Sequence, residues 1–239
     1  MNDNTLVAVC GYAGDAKRIK NFIRFQEQHT CPIVVLSPAD SPIKEMRNHI
    51  CRSAGKRAYI GQESLDRQIE YFKILLEYPF EYYLLNDSDS FVISGQLPEA
   101  WYVEADKWVV WVNRVEDPRP HASPYPKWAF QPPYFLSRNS MKKLISVAHK
   151  CPAHPITPYV DHFMVQLICE AGIHHRPFTD AEHPPYVEAF SGVDPWKTLE
   201  YRIKYCGTVA MHPIKTLDQA VMCARARRFY ELNGPLIKP

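Results

Sequence analysis

The amino-acid sequence predicts an α/β fold with a mostly parallel central sheet flanked by helices. Near-continuous apolar runs at Leu6–Cys10 and Ile33–Leu36 are typical of strands that are buried on both faces. Segments with apolar residues three or four positions apart, the spacing of amphipathic helices, follow these runs. Alternation of strands with helices predicts strand–helix–strand units, and hence a parallel sheet covered on both faces. No linker or internal repeat divides the chain, so we expect one domain over residues 1–239.

The first half of the chain carries the clearest signals. Asp15 is placed to cap a helix whose buried face would hold Ile19, Phe22 and Ile23. The further predicted elements are a helix from about Pro42 with Ile43, Met46 and Ile50 on one face, a short strand at Tyr59–Ile60, a helix marked by Leu65, Ile69, Phe72 and Leu76, and a strand from Tyr82 to Leu85.

The second half is less regular and contains most of the prolines. Its predicted elements are a strand at Trp108–Val112, a Pro- and aromatic-rich loop over residues 113–133, a strand at Pro133–Ser137, a helix from about Asn139, a helix from about Pro158 to Ala171 ended by Gly172, a strand-like run at Thr208–Met211 and a final helix from about Thr216. We expect the long loop to lie over the functional site.

Composition narrows the class of protein. Hydrophobic residues make up 46% of the chain and charged residues 23%, as in ordinary globular proteins, and the net charge of +2 favours neither the presence nor the absence of a polyanionic partner. The sequence has no signal-peptide pattern and no apolar stretch of the roughly 20 residues that a membrane span needs. Seven cysteines without a C-x-x-C pair indicate reduced thiols, so we expect a cytoplasmic protein.

Two carboxylates lie at the end of a predicted strand. Asp87 and Asp89 follow the apolar run Tyr82–Leu85 and precede a second apolar run. In a parallel α/β sheet, ligands bind beyond the carboxyl ends of the strands. Carboxylates at positions i and i+2 can hold one hard cation if the backbone turns between them, and Mg²⁺ and Mn²⁺ prefer oxygen ligands. The pattern favours a metal site, with an ordinary polar turn as the alternative.

The order of elements and four short motifs resemble the GT-A fold of nucleotide-sugar glycosyltransferases. Asn86–Asp89 is similar to the Asp-x-Asp motif of that family, and Gln131–Arg138 to the strand before its acceptor-side helix. Tyr159–Asp161 is similar to the acidic motif that opens the following helix, and His212–Lys215 to a late His-x-x-Lys. The resemblance covers most of the chain in element order, but in residue identity it is confined to these motifs.

The resemblance implies a GT-A-like, Rossmann-like fold in which a divalent metal, Mn²⁺ or Mg²⁺, holds the diphosphate of a sugar donor. It makes Asp89 the principal metal ligand and gives Asp87 a contact to the metal or to the ribose. His212 would supply an imidazole ligand, and Lys215 would neutralise charge that develops on the phosphate. For His212 taken alone, a satisfied histidine at a strand end is the alternative.

The resemblance also implies where the nucleotide lies. Gly11 and Tyr12 would border it, with Tyr12 able to stack on the base. Ser88 lies within the Asp-x-Asp motif, and Arg52 and Arg67 lie in the region that family members use to hold the base and the phosphates. A surface ion pair is the alternative for either arginine.

On the acceptor side, the resemblance points to Asp161. At the start of a predicted helix, its carboxylate is stabilised in the ionised form by the helix dipole, which suits a base for an acceptor hydroxyl. The alternatives are a plain helix-terminal charge or, in a retaining enzyme, a residue that positions the acceptor. Trp128, Phe130 and Trp196 offer aromatic faces for a sugar, with core packing as the alternative.

These features predict a metal-dependent glycosyltransferase that uses a nucleoside-diphosphate sugar, expected to be a UDP-sugar. Residues 1–95 would bind the donor, and residues 96–239 would form the acceptor-binding half and the C-terminal helix. The acceptor expected is a glycan or a small molecule, and a modified DNA base is a minority option. A haloacid-dehalogenase-type phosphatase also uses Asp-x-Asp after a strand, but that family wants Thr or Val where this chain has Phe91. A non-catalytic relative that binds a nucleotide sugar or a glycan is the third hypothesis.

Overall fold

The computed structural model describes residues 4–26, 31–44, 46, 49–92, 97–116, 128–152, 159–177, 187–188 and 210–212, with a few positions between 221 and 232. For residues 91–92, 115–116, 187–188 and 210–212 only the backbone is described. The described positions between 221 and 232 are helical, where the sequence predicts the final helix.

A seven-stranded sheet forms the centre of the fold. Its strands are β1 (Thr5–Cys10), β2 (Ile33–Ser37), β3 (Ile50–Ser53), β4 (Tyr82–Asp87), β6 (Val109–Glu116), β7 (Trp128–Ser137) and β8 (His174–Pro177), while β5 (Phe91–Val92) belongs to a second sheet. The order in the sheet is β3-β2-β1-β4-β7-β6-β8. Neighbouring strands are parallel except around β7, which is antiparallel to β4 and to β6. The mostly parallel sheet predicted from the sequence is confirmed.

Helices cover both faces of this sheet. They are α1 (Ala16–Gln26), α2 (Gln62–Leu76), α3 (Glu99–Asp106), α4 (Arg138–Val147) and α5 (Val160–Glu170). Leu85 of β4 packs into the core under α2, α4 and α5, whereas its neighbour Leu84 packs with Trp101 of α3. Alternate side chains of a strand point to opposite faces, so one apolar strand serves both cores.

The helix signals of the sequence correspond to real boundaries. α1 buries Ile19, Phe22 and Ile23, the residues of the predicted stripe. α5 ends just before Gly172, whose φ of 59° lies in the left-handed region that glycine adopts without strain. Apolar spacing and end signals therefore located these helices correctly.

Two predictions between β2 and α2 are wrong. Instead of the helix expected from about Pro42, Met46 forms a β-bridge with His49, and Ile50 begins β3. The strand expected at Tyr59–Ile60 is reduced to an isolated bridge. β3 is an edge strand with no buried residue, so pairing with β2, rather than an apolar pattern of its own, determines its position.

A two-stranded ribbon replaces much of the loop predicted over residues 113–133. β6 continues to Glu116 and β7 begins at Trp128, which leaves residues 117–127 outside the described chain. Leu85 of β4 lies opposite Tyr134 of β7, and the six residues that precede Tyr134 in β7 have no partner in the β4 register. The ribbon therefore projects past the carboxyl end of β4.

A second, small sheet adjoins the end of β4. It has the order β5-β10-β9, where β9 is Val187–Glu188 and β10 is Ala210–His212. β10 is antiparallel to β5 and parallel to β9. Its three strands come from segments that are distant in the chain.

At the amino edge of the central sheet, Arg138 holds the end of α2 against the start of β4. Its guanidinium donates to the carbonyl oxygens of Leu76 and Tyr78, each at 2.7 Å, and to the Tyr83 hydroxyl at 2.8 Å. Carbonyls at a helix C-terminus have no partner within the helix, so Arg138 acts as a cap supplied from α4.

Two structural findings bear on the predictions about membrane spans and about the oxidation state of the cysteines. Over the ranges that the structure describes, no helix is both long enough and apolar enough to span a membrane. The cysteines described as free thiols are Cys10, Cys31, Cys51, Cys151 and Cys169.

Candidate functional site at the carboxyl edge of the sheet

The carboxyl edge of the central sheet brings predicted site residues together. In the parallel register of β1 with β4, Cys10 lies opposite Asp87, so Tyr12 and the Asp-Ser-Asp segment leave the sheet side by side. On the adjacent strands, Ser37 lies opposite Ser53, and their Oγ atoms are 2.9 Å apart. This is the edge at which α/β sheets bind ligands.

A tight turn follows Asp87. The Ser90 backbone N–H donates to the Asp87 carbonyl at 3.1 Å, so the chain turns across Ser88 and Asp89. Asp89 is only 9% exposed. A carboxylate in such a buried position is costly unless opposite charge or hydrogen-bond donors stabilise it, as a bound cation would.

The pairing of β5 with β10 places His212 beside this turn. Met211 lies opposite Phe91 and Ala210 opposite Val92, in antiparallel register. Continued by one residue, the same register sets His212 opposite Ser90, the residue after Asp89. The sequence predicts that the late histidine joins the carboxylate pair, and the backbone brings the two segments into adjacent positions.

The residues around the turn fit a divalent metal by their chemistry. Carboxylate oxygens with an imidazole are ligands that Mn²⁺ accepts, and Mg²⁺ prefers oxygen. Asn86 Oδ1 and Ser90 Oγ, which flank the motif, are buried and have no hydrogen-bond partner within the described part of the chain. Atoms of this kind also occur elsewhere in the described chain, so at the turn they are compatible with a bound ligand, ion or water without requiring one.

The side chains that the structure describes do not by themselves make a metal centre. Among them, no three His, Cys, Asp or Glu side chains lie close enough together to hold an ion. The His212 side chain is outside this set, since only the backbone of β10 is described. The predicted ligand set of Asp87, Asp89 and His212 therefore stays a prediction.

Tyr12 lies in an aromatic and cationic cluster at the end of β1. The guanidinium of Arg57 stacks on its ring, 3.8 Å from the centroid, and the Tyr59 ring meets it edge-on at 6.4 Å. A Cβ atom at Gly14 would lie 2.5 Å from Tyr12 Cε2, so the ring is also tightly packed against the backbone. Arg57 thus already covers the ring of Tyr12, the residue predicted to stack on the base.

Gly11 precedes Tyr12 and needs to be glycine for a different reason. A Cβ atom there would lie 2.7 Å from Ile19 Cδ1 of α1. Because that side chain is fully buried, it has little room to move. The absent side chain lets the loop after β1 run close to α1.

The two arginines expected to bind the donor lie in different settings. Arg52 forms an exposed ion pair with Glu77, with Nη1 and Oε2 2.7 Å apart, just after the end of α2. Arg67 Nη1 donates to the Lys56 carbonyl at 2.8 Å, and its charge reaches the Cys10 thiol at the end of β1. Arg67 therefore lies at the carboxyl edge, whereas Arg52 is engaged with the far end of α2.

The acceptor-side carboxylate approaches the same edge. Burial raises the pKa of Tyr134, and the charges of Asp161 and then Asp87 raise it further. Burial also raises the pKa of the Cys10 thiol, with Asp87 again contributing. The charges of Asp161 and Asp87 thus both act on the phenol of Tyr134. The hydroxyl of Tyr134 donates a hydrogen bond to the Phe130 carbonyl at 2.6 Å. For both the phenol and the Cys10 thiol, burial is the largest cause of the raised pKa.

Asp161 lies in the first turn of α5, as predicted. A β-bridge between Ile60 and Tyr159 joins the loop before α2 to the residue that caps α5. The start of α5 is thereby attached to the loop that carries Arg57.

The predicted acceptor platform divides into two environments. Trp128 is half-buried, with the Arg114 guanidinium 3.2 Å from its ring centroid and the His175 ring 5.7 Å away. Burial, and then the charge of Arg114, lower the pKa of His175. Phe130 is 1% exposed and packs in the hydrophobic core, which is the alternative that the sequence left open for it.

Other predicted residues lie outside the described chain, and one functional candidate was missed. The residues outside the described chain are Lys215 and Trp196.

The candidate that sequence analysis missed is Arg57. The basic pair Lys56–Arg57 followed by the aromatic Tyr59 was a usable signal for it, but Tyr59 was assigned to a strand.

Comparison with known proteins adds one likeness. No protein-family model matches the chain, and no curated protein matches it in sequence. One similar solved structure is a crystal structure of a glycosyltransferase involved in the glycosylation of the major capsid of PBCV-1. The chains are 12% identical, the match covers 94% of this chain and 98% of that chain, and the TM-score is 0.46. Likeness of this degree assigns no activity and no residue role.

Proposed function

We propose that this protein is a metal-dependent glycosyltransferase that moves a sugar from a nucleoside-diphosphate sugar, a UDP-sugar in the first instance, to an acceptor hydroxyl. The observation that carries the proposal is the pairing of β5 with β10. It brings the strand that ends at His212 next to Asp89, at the edge of the sheet where ligands bind. This register supports the proposal because it brings the backbone of His212 next to the turn that carries Asp89.

In this proposal Asp87, Asp89 and His212 hold Mn²⁺ or Mg²⁺. When bound, the ion stabilises the negative charge of the departing nucleoside diphosphate. Asp89, which is buried, is the principal ligand, and the half-buried Asp87 contacts the ion or the ribose. Lys215 adds a positive charge on the phosphate side.

The donor nucleotide lies along the ends of β1 and β3. Gly11, Tyr12 and Ser88 border it, and Arg67 places a positive charge near the end of β1. Arg52 serves this role only if its ion pair with Glu77 opens. Positive charge beside β1 and negative charge after β4 suit a ligand that carries a diphosphate and a metal ion.

On the acceptor side, Asp161 accepts the proton of the acceptor hydroxyl while that oxygen bonds to the anomeric carbon and the bond to the diphosphate breaks. The charge of Asp161, like that of Asp87, raises the pKa of Tyr134, and this supports a position of Asp161 near the end of β4. Trp128 offers a partly open ring to a sugar, whereas Phe130 contributes through the core beneath. A glycan or a small molecule in the cytoplasm is the acceptor proposed first, and a modified DNA base second.

The experiment is Mn²⁺-dependent release of nucleoside diphosphate across a panel of nucleotide sugars, with and without candidate acceptors. We expect turnover by the wild type, and a loss on the order of 100-fold or more in Asp89→Ala, because charge stabilisation in the transition state is removed.

The matched control is Asp66→Ala, which removes an exposed carboxylate of α2 that accepts a hydrogen bond from Gln62 of the same helix. It should retain full turnover. Undiminished activity of Asp89→Ala, or of the wild type in excess chelator, would contradict the metal assignment. Turnover of a phosphomonoester but of no nucleotide sugar would favour the phosphatase hypothesis instead.

A further inference from the structure

The loop between β3 and α2, residues 55–61, presents a cation that the proposed function does not yet use. It is bounded by Gly55 and Gly61, with φ values of 63° and 80° that non-glycine residues rarely adopt. Between them lie Arg57 and Tyr59, both exposed. Because this loop follows β3, which is parallel to β2, it lies at the carboxyl edge of the sheet.

Arg57 is held in place from three directions. Its backbone N–H donates to Asp40 Oδ1 at 2.7 Å, and its Nη2 donates to the Tyr59 hydroxyl at 3.1 Å. Its guanidinium stacks on Tyr12 at 3.8 Å. A flexible exposed arginine would sample many rotamers, so these contacts fix the plane of the guanidinium before any ligand arrives.

The charge of Arg57 has no carboxylate partner. Among the described residues, no carboxylate oxygen lies within the 4.0 Å of an ion pair with its guanidinium. Its neighbour Lys56 shows the contrast, because Lys56 Nζ lies 2.7 Å from Glu63 Oε1. One face of the Arg57 guanidinium is thus covered by Tyr12 at 3.8 Å, the Tyr59 ring lies further away at 5.7 Å, and the residue as a whole is exposed.

We propose that Arg57 is the base-binding residue of the donor site: the planar base of the nucleoside diphosphate stacks on the outer face of the guanidinium. Tyr12 then supports the stack from below instead of touching the base, and the hydrogen bond from Arg57 Nη2 to the Tyr59 hydroxyl holds the guanidinium in its plane. The inference rests on the proposed function and refines the expected role of Tyr12.

The position fits the length of a nucleotide. Cys10 lies opposite Asp87, and Tyr12 is two residues further along, a reach of roughly 7 Å at most. Arg57 lies one stacking distance beyond Tyr12. The turn after β4 and Arg57 are thus near enough for one nucleoside diphosphate to contact both.

The test compares two ligands that share a diphosphate but differ in the presence of a base. Calorimetric titration with UDP and with inorganic pyrophosphate, each with Mn²⁺, is carried out on the wild type, Arg57→Ala and Arg57→Lys. We expect Arg57→Ala to weaken UDP binding about 10- to 50-fold, the range of base stacking on a planar partner, and to change pyrophosphate binding less than about twofold. Arg57→Lys should remain several-fold weaker for UDP, since an ammonium has no planar face.

Arg24→Ala, which removes an exposed arginine of α1, is the matched control and should leave both affinities unchanged. Equal UDP affinity in the wild type and Arg57→Ala would overturn the inference, and tighter UDP binding in the variant would show that Arg57 only covers Tyr12. Equal losses for UDP and pyrophosphate would make Arg57 a phosphate contact, which also overturns it. If the wild type binds neither ligand, the proposed function itself fails. Far-ultraviolet circular dichroism of each variant establishes that the fold is intact.

Discussion

Several polar groups at the two edges of the central sheet differ in whether they have hydrogen-bond or ion-pair partners. At the amino edge, Arg138 gives hydrogen bonds to the carbonyls that α2 leaves open and to the Tyr83 hydroxyl. At the carboxyl edge, Asn86 Oδ1 and Ser90 Oγ are buried and lack partners within the described chain, and Arg57 forms no ion pair with a described carboxylate.

The difference separates a stabilising region from a functional one. Polar groups that satisfy one another reduce the cost of burial and hold neighbouring elements in one arrangement. Polar groups left incomplete cost stability, and a fold retains them where a ligand completes the set. Substitutions of these polar side chains at the carboxyl edge should therefore change activity with little loss of stability, and substitution of Arg138 at the amino edge should do the reverse.

The largest expected effect is that of Asp161→Asn on sugar transfer. Removing a general base lowers the rate about 10²- to 10⁴-fold, while the amide keeps the size of the side chain at the start of α5. Steady-state transfer and Mn²⁺–UDP titration should show a lower kcat with nearly unchanged donor affinity. Glu170→Gln, at the exposed far end of the same helix, is the control. Transfer at the wild-type rate would remove Asp161 from the proposed mechanism.

At the amino edge, Arg138→Met should cost about 3 kcal/mol of unfolding free energy, because charged hydrogen bonds are lost and half-buried carbonyls are left without donors. Arg138→Lys should fall between it and the wild type, since one ammonium cannot reach all the acceptors in the same geometry. Urea denaturation measures both. A variant that loses activity but not stability would reverse the contrast between the edges.

A smaller effect on stability is expected in the loop that carries Arg57. Gly55→Ala should cost about 2 kcal/mol, because alanine is strained at positive φ and its Cβ would lie 2.7 Å from Arg67 Cβ. Gly172→Ala is the matched comparison, since it has a similar φ of 59° but no atom within 4 Å of the added Cβ. It should lose about 1 kcal/mol. Equal losses in thermal or urea unfolding would show that the contact with Arg67 carries no energy.

Much of the fold was predictable because its signals are local. Apolar runs marked β1, β2 and β4, and the stripe of Ile19, Phe22 and Ile23 marked α1. Burial along these segments repeats with the period of the element, so the residues themselves carry the information.

Other elements were missed or misplaced because nothing local distinguishes them. Ile43, Met46 and Ile50 have helical spacing, yet Ile50 is 51% exposed in an edge strand. The ribbon of β6 and β7 was interpreted as a loop because prolines and aromatics dominate its sequence. In both places, pairing with a neighbouring strand outweighs the intrinsic preference of the segment.

The candidate site shows the same division. Asp87 and Asp89 were recognised because they directly follow an apolar strand, a feature of adjacent residues. The register that sets His212 beside Ser90 and the stack of Arg57 on Tyr12 depend on segments far apart in the chain.

The sequence by itself determined that the protein has a mostly parallel α/β sheet with two carboxylates at a strand end, because hydrophobic burial imprints a short-range period on the chain. Only the tertiary structure decided which strands are neighbours, which arginine stacks on Tyr12 and which carbonyls Arg138 caps. These are contacts between distant residues, and their free energy exists only once the chain has closed the loops between them.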